Sequence, residues 1–283
     1  MFKRITLVIA MALLCILAGC SRRGAVYVPE EPPPVIEMSI PAVLSPPEPE
    51  EEPSLPEEPP EIPLSQQMLI AFTFDDGPGD YSAALLDGLA QRGARATFFI
   101  ATYRVSGSNS HVVLRMHQEG HEVANHTMNH PRLHLLNNDA IRREVDGADE
   151  ILRGITGVTP RLLRPPYGNF TSRVLGVIDK PVIGWSIDTR DWEFWCHDHV
   201  LNEIINNATD GDIILLHEWR EHSVTAALEA MDILAERGYR FVTVSELFDA
   251  RGISLEAGVY YSSANSRGFE RFIFDEHDKY PDS

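Results

Sequence analysis

Apolar positions fall into three regimes along the 283-residue chain. The first is a thirteen-residue run, 5–17, broken only by Thr6, behind the basic start Met1-Phe2-Lys3-Arg4. It is shorter than the roughly 20 residues that a spanning helix needs, and reads as the core of a signal peptide covering 1–19. The second regime, 29–63, holds thirteen Pro and ten Glu in 35 residues. Such a segment buries no core and favours extended polyproline II structure, with a contour of roughly 100 Å at about 3.1 Å per residue. From residue 68 onward, short β-rich runs alternate with helical patterns. The run 69–74 precedes 81–92, 96–101 precedes 110–119, and 122–125 precedes 138–153. The alternation continues with 162–164 before 171–179, 182–187 before 198–207, 213–216 before 223–237, and 240–244 before 246–250. Seven strand-helix units in this order predict an α/β fold of parallel strands joined by helical crossovers.

A barrel and a doubly wound sheet both fit that alternation, and the placement of reactive side chains decides between them. Asp75 and Asp76 follow the first strand, His126 the third, Arg164 the fourth, Asp188 and Asp191 the fifth, and His217 the sixth. All sit at carboxyl ends of strands, which a (β/α) barrel gathers on one face and an open sheet spreads apart. The expected fold is therefore a distorted (β/α) barrel of about seven units over 68–250, with 251–283 as a C-terminal tail.

Charge and cysteine usage narrow the function. The net charge is −18, of which 1–28 contribute +4 and 29–63 contribute −10, leaving an acidic body. A body with no basic stripe repels phosphate backbones and sets nucleic acid aside as a partner. Three cysteines cannot build a disulfide framework. One of them, Cys20, closes Leu17-Ala18-Gly19-Cys20, which resembles the bacterial lipoprotein box. That resemblance implies a lipid-modified Cys20, a 20–67 spacer, and a domain held to a membrane outside the cytoplasm.

The candidate chemistry centres on a few pairs. Asp75 and Asp76, at an extended strand end, are expected to point in different directions, one toward a cation and one toward water. The four-residue spacing of His126 and His130 suits one side of a helical turn and a shared metal, and Pro131 ends that turn, which makes His134 a poorer ligand. Two imidazoles and one carboxylate leave coordination positions open, which suits catalysis rather than structure. His217, at the end of the apolar run 213–216, is placed to give a proton to a leaving amine. The cluster Trp195-Cys196-His197-Asp198-His199 is read as a loop and first helical turn with diverging side chains, not as a metal site.

Five ordered segments carry a resemblance. Thr73-Phe74-Asp75-Asp76-Gly77-Pro78, His126-Thr127-Met128-Asn129-His130, Arg164-Pro165-Pro166-Tyr167, Asp188-Thr189-Arg190-Asp191-Trp192 and Leu215-Leu216-His217 resemble the motifs of NodB-like polysaccharide deacetylases. The resemblance implies removal of N- or O-acetyl groups from sugars with a divalent metal, usually zinc and sometimes cobalt or nickel. It implies Asp76, His126 and His130 as metal ligands, Asp75 as general base, the Tyr167 backbone N–H as oxyanion donor, His217 as acid, and Leu215 lining the acetyl slot. Arg164 would hold the carboxylates, and Arg95 is a second candidate partner for Asp75. Asp191 would orient His217, and Trp192 is either a wall of the sugar groove or ordinary packing. Combined with the tether, the resemblance points to acetylated peptidoglycan. Chitin-type oligomers, poly-N-acetylglucosamine and O-acetylated xylan are alternative substrates. A catalytically silent glycan-binding lipoprotein and a non-haem iron site are readings from other classes.

Overall fold

The computed structural model describes residues 62–265. The expected signal peptide, Cys20, nearly all of the expected 20–67 spacer and the last eighteen residues of the expected tail lie outside them. The central strand β1 (Met68–Gly77) is buried along almost its whole length, as a parallel strand flanked on both sides must be. It pairs in parallel with β2 (Thr97–Ile100) on one side and β6 (Ile213–His217) on the other, while its first residues pair with β7 (Tyr239–Phe241). β3 (Glu122–Asn125) extends the sheet beyond β2, and β5 (Ile187–Asp188) extends it beyond β6. Register matters here. Asp75 is paired with His217 and Ile100 with Asn125, so the strands deliver their reactive ends at one level.

The wall then closes irregularly. Leu163 bridges Asn125 on one side and Val182 on the other, and β4 (Val182–Ile183) pairs with β8 (Tyr260–Tyr261). The chain leaving β4 changes partners: Ile183 N–H donates to Leu163, Gly184 N–H to Tyr261, and Ser186 N–H to Ile213, the first residue of β6. The result is a distorted (β/α) barrel. Two expected strands are corrected. The segment 162–164 makes only a bridge, and 182–187 breaks into two short pieces around Gly184–Ser186. The cause is Arg164, whose Nε and Nη2 take the Ile183 and Gly184 carbonyls at 3.2 and 2.7 Å, groups that a regular ladder would use.

Among the described residues seven α-helices fill the crossovers: α1 (Ser82–Gln91), α2 (Ser110–Gln118), α3 (Asn138–Thr156), α4 (Ser172–Leu175), α5 (His197–Asn207), α6 (Glu221–Glu236) and α7 (Val244–Ala250). The longest, α3, is capped by Asn137, which accepts the Ala140 N–H, and ends at Gly157 in the left-handed region (φ 80°). Residues 240–244, expected as one strand, stop at Phe241 because the Thr243–Glu246 capping box starts α7 at Val244. The fold runs past residue 250: β8 pairs with β4, and Ser263 bridges Asp212.

Candidate active site

β1 ends in a bulge between Asp75 and Gly77, and Asp76 adopts φ 63°. The two aspartates therefore diverge through a left-handed residue, not through the alternation of an extended strand. Asp75 Oδ1 is ion-paired with Arg164 Nη1 at 2.7 Å, and both residues are buried. Arg164 also donates to Thr73 Oγ1 at 2.8 Å and stacks over Phe99 with its guanidinium carbon 4.1 Å from the ring centre. Arg95 is corrected as a partner of Asp75: its Nη1 pairs with Glu246 at 3.0 Å. It precedes β2 at the amino end of the barrel, whereas Asp75 ends β1 at the other.

The two histidines meet, but without a helix. Residues 126–130 form an irregular loop with Thr127 and His130 both in the left-handed region (φ 68° and 57°). His126 Nε2 lies 3.7 Å from an oxygen of each aspartate, and His130 Nε2 lies 3.2 Å from Asp76 Oδ1. One ligand atom from each of Asp76, His126 and His130 falls within 4.8 Å of the others. The buried His126 Nδ1 is 2.7 Å from the Arg164 carbonyl, which can only accept, so Nδ1 carries a hydrogen and Nε2 is the ring nitrogen turned to the aspartates. Burial, reinforced by the His126 charge, pushes the His130 pKa down to about 4. Burial alone would raise the Asp76 pKa, but His126, His130, His217 and Arg104 together pull it below the usual carboxylate range. Asp76 Oδ1 is buried with no hydrogen-bond partner. An ionised oxygen donor and two imidazole nitrogens that converge on one point are a donor set that fits a divalent metal.

His217 lies on the opposite side. Its Nδ1 and its backbone N–H are 2.7 and 2.8 Å from the two oxygens of the fully buried Asp191. Burial opposes the imidazolium, yet the Asp191 hydrogen bond and charge outweigh it and raise the His217 pKa. Conversely, burial would raise Asp191, and the His217 bond brings it down.

Around these groups, Tyr167 (φ 61°) is half exposed, its ring 4.6 Å from that of His130 and under the Arg132 guanidinium. Leu215 is buried in β6, and Trp192 is exposed beside Asp191. The Trp195–His199 cluster diverges: His197 pairs with Glu229 at 3.2 Å and the His199 ring packs on Phe194. Sequence reasoning passed over Glu218, which follows His217, is fully buried, and has its pKa raised by burial to about 8. A charged residue directly after an apolar strand was the available signal.

Three comparisons bear on this geometry. Residues 65–180 match a family described as polysaccharide deacetylase. The chain is 33% identical over 211 residues to the peptidoglycan-N-acetylglucosamine deacetylase PgdA of Listeria monocytogenes, covering 74% of this chain and 44% of that protein. It thus spans less than half the length of that relative. A peptidoglycan-N-acetylglucosamine deacetylase of Bacillus cereus is 36% identical over 197 residues, covering 66% of this chain and 91% of its own. A family 4 acetyl xylan esterase of Clostridium thermocellum, solved in complex with a cobalt ion, superposes with a TM-score of 0.65 at 32% identity, over 69% of this chain and 98% of that one.

Proposed function

The chain belongs to the polysaccharide deacetylase family, and on that premise we propose that it hydrolyses acetyl groups from N-acetylated cell-envelope polysaccharide, with peptidoglycan N-acetylglucosamine as substrate. One observation carries the reading: the convergent Asp76, His126 and His130 are flanked by Asp75 on Arg164 and by His217 on Asp191. Asp76, His126 and His130 would hold the metal, with zinc proposed and cobalt or nickel as alternatives. A bound divalent cation supplies Lewis acidity, polarising the acetyl carbonyl and making water a stronger acid near neutral pH.

The chain's own residues do the rest. Asp75 accepts a proton from the water whose oxygen attacks the acetyl carbon. Arg164 fixes the orientation of that carboxylate, and the Tyr167 backbone N–H donates to the oxygen as charge develops there. His217, protonated and aligned by Asp191, gives its proton to the sugar nitrogen as the carbon–nitrogen bond breaks, so acetate and a free amine leave. Leu215 packs against the acetyl methyl and Trp192 against the sugar ring.

The test is acetate release from N-acetylglucosamine oligomers and from purified wall glycan. Release is expected to stop on chelation and to fall by about 10²–10⁴-fold in Asp75→Asn. No acetate from any acetylated glycan refutes the enzyme reading. The likeness to an acetyl xylan esterase supports O-acetylated xylan as a second reading, and relative rates on xylan and chitin-type oligomers separate the two. The proposed place of work is outside the cytoplasmic membrane, tethered by lipid on Cys20. Labelled fatty acid should enter the wild-type chain and not Cys20→Ala.

A further inference from the structure

Asn125, the last residue of β3, is fully buried and directly precedes His126. Its amide is used at both ends. Oδ1 accepts the Thr127 N–H at 2.7 Å, while Nδ2 donates to the Val145 carbonyl at 2.9 Å and to Asp149 Oδ1 at 2.7 Å, both in α3. Asp149 Oδ2 is ion-paired with Lys180 Nζ at 2.7 Å, and Lys180 also donates to the Pro160 carbonyl at 2.9 Å. None of these three side chains is a member of the metal-ligand set.

Their connection to it runs through the main chain. Thr127 is β-branched and sits at φ 68°, a conformation such residues hold only when their surroundings impose it. The Asn125 side chain supplies that imposition by closing the turn on the Thr127 N–H. Thr127 Oγ1 then accepts the N–H of His130 at 3.1 Å. One buried amide thus sets the turn between the two imidazoles, and only a side chain that accepts and donates at once fits the place. Aspartate would face Asp149 with like charge, and leucine would fill the space without either bond.

We propose that Asn125 is a positioning residue for the metal centre, and that Asp149 and Lys180 hold its amide in the orientation that brings His126 and His130 together. This rests on reading Asp76, His126 and His130 as metal ligands.

The test is titration of zinc and of cobalt into metal-stripped full-length protein, with the melting temperature of each metal-free variant measured alongside. Asn125→Leu is expected to bind about 10–100-fold more weakly, the usual effect of losing a group that orients a ligand. Asp149→Ala, which leaves Asn125 bonded to Val145, is expected to lose about tenfold and decides the matter if Asn125→Leu does not fold. Leu152→Ala, a buried α3 change that touches none of these bonds, should lower the melting temperature and leave affinity unchanged. Wild-type affinity in folded Asn125→Leu and Asp149→Ala overturns the proposal while the metal centre stands. A wild-type chain that takes up neither metal removes the metal centre, and this inference with it.

Discussion

Arg164 has no exposed surface, and its N–H groups are divided among Asp75, Thr73 and the carbonyls of Ile183 and Gly184. Removing it strands the Asp75 carboxylate in a buried site, so Arg164→Met is expected to cost about 3–5 kcal/mol in urea unfolding. Arg95→Met, which breaks an exposed pair with Glu246, should cost less than about 1 kcal/mol. Equal losses would contradict the assignment of Arg164 as the partner of Asp75. His217 allows a different kind of test. Its proposed role needs the imidazolium, whose pKa burial lowers and Asp191 raises to above the ordinary value of about 6.5. Activity should therefore fall as pH rises through the raised value. Asp191→Asn keeps a hydrogen-bonding shape but removes the charge, so the alkaline limb of kcat/KM is expected to move to lower pH. The stability contributed by the His217 shift has the same sign: full below the unfolded histidine pKa, and lost as pH climbs through the folded one. An alkaline limb that stays in place removes Asp191 from the mechanism.

Where β1 and β6 end side by side, the two elements constrain each other. A Cβ on Gly77 would fall 1.4 Å from Glu218 Oε1. Gly77 lacks the positive φ that would itself require glycine, so what opposes a side chain there is the Glu218 carboxyl, which would have to move. Gly77→Ala is expected to cost about 1–3 kcal/mol, and Glu218→Ala to relieve part of it, with a coupling of about 0.5 kcal/mol or more in a double-mutant cycle. Additive costs would show that Glu218 is not the obstacle. This contact was illegible in the sequence, since nothing in Asp76-Gly77-Pro78 or Leu216-His217-Glu218 says that the two ends touch. The central strands were legible because their ladders are built by backbone between continuous apolar runs, as in 69–74 and 213–216. The strands at 162–164 and 182–187 were not, because the Arg164 side chain, which belongs to the first, takes the Ile183 and Gly184 carbonyls of the second. The histidine pair was identified with the wrong local structure. Four-residue spacing suits a helix, but left-handed Thr127 and His130 bring the rings together in a loop. Arg95 was near Asp75 in sequence and at the opposite end of the barrel in space.

Across residues 62–265 the proposed ligands come from two elements, the end of β1 and the loop after β3, both rooted in a wall joined by backbone pairing and not by their side chains. Three buried apolar clusters surround that wall, and none includes a ligand residue. The fold therefore does not depend on metal in the way a zinc finger does, where binding and folding are one event. Metal should act instead as a ligand of an already folded domain. At a free concentration one hundred times its Kd, it would add about 2.7 kcal/mol to stability by mass action. For a domain of this size that corresponds to a Tm higher by roughly 5–10 °C. The surface exposed on unfolding is nearly the same with and without the ion, so the urea slope should not change while the midpoint moves. Chelation is thus expected to lower the midpoint, keep the slope, and leave the far-ultraviolet circular dichroism native at 25 °C. A fall in slope, or loss of the cooperative transition on chelation, would mean that the ion helps to build the barrel end and not merely to occupy it.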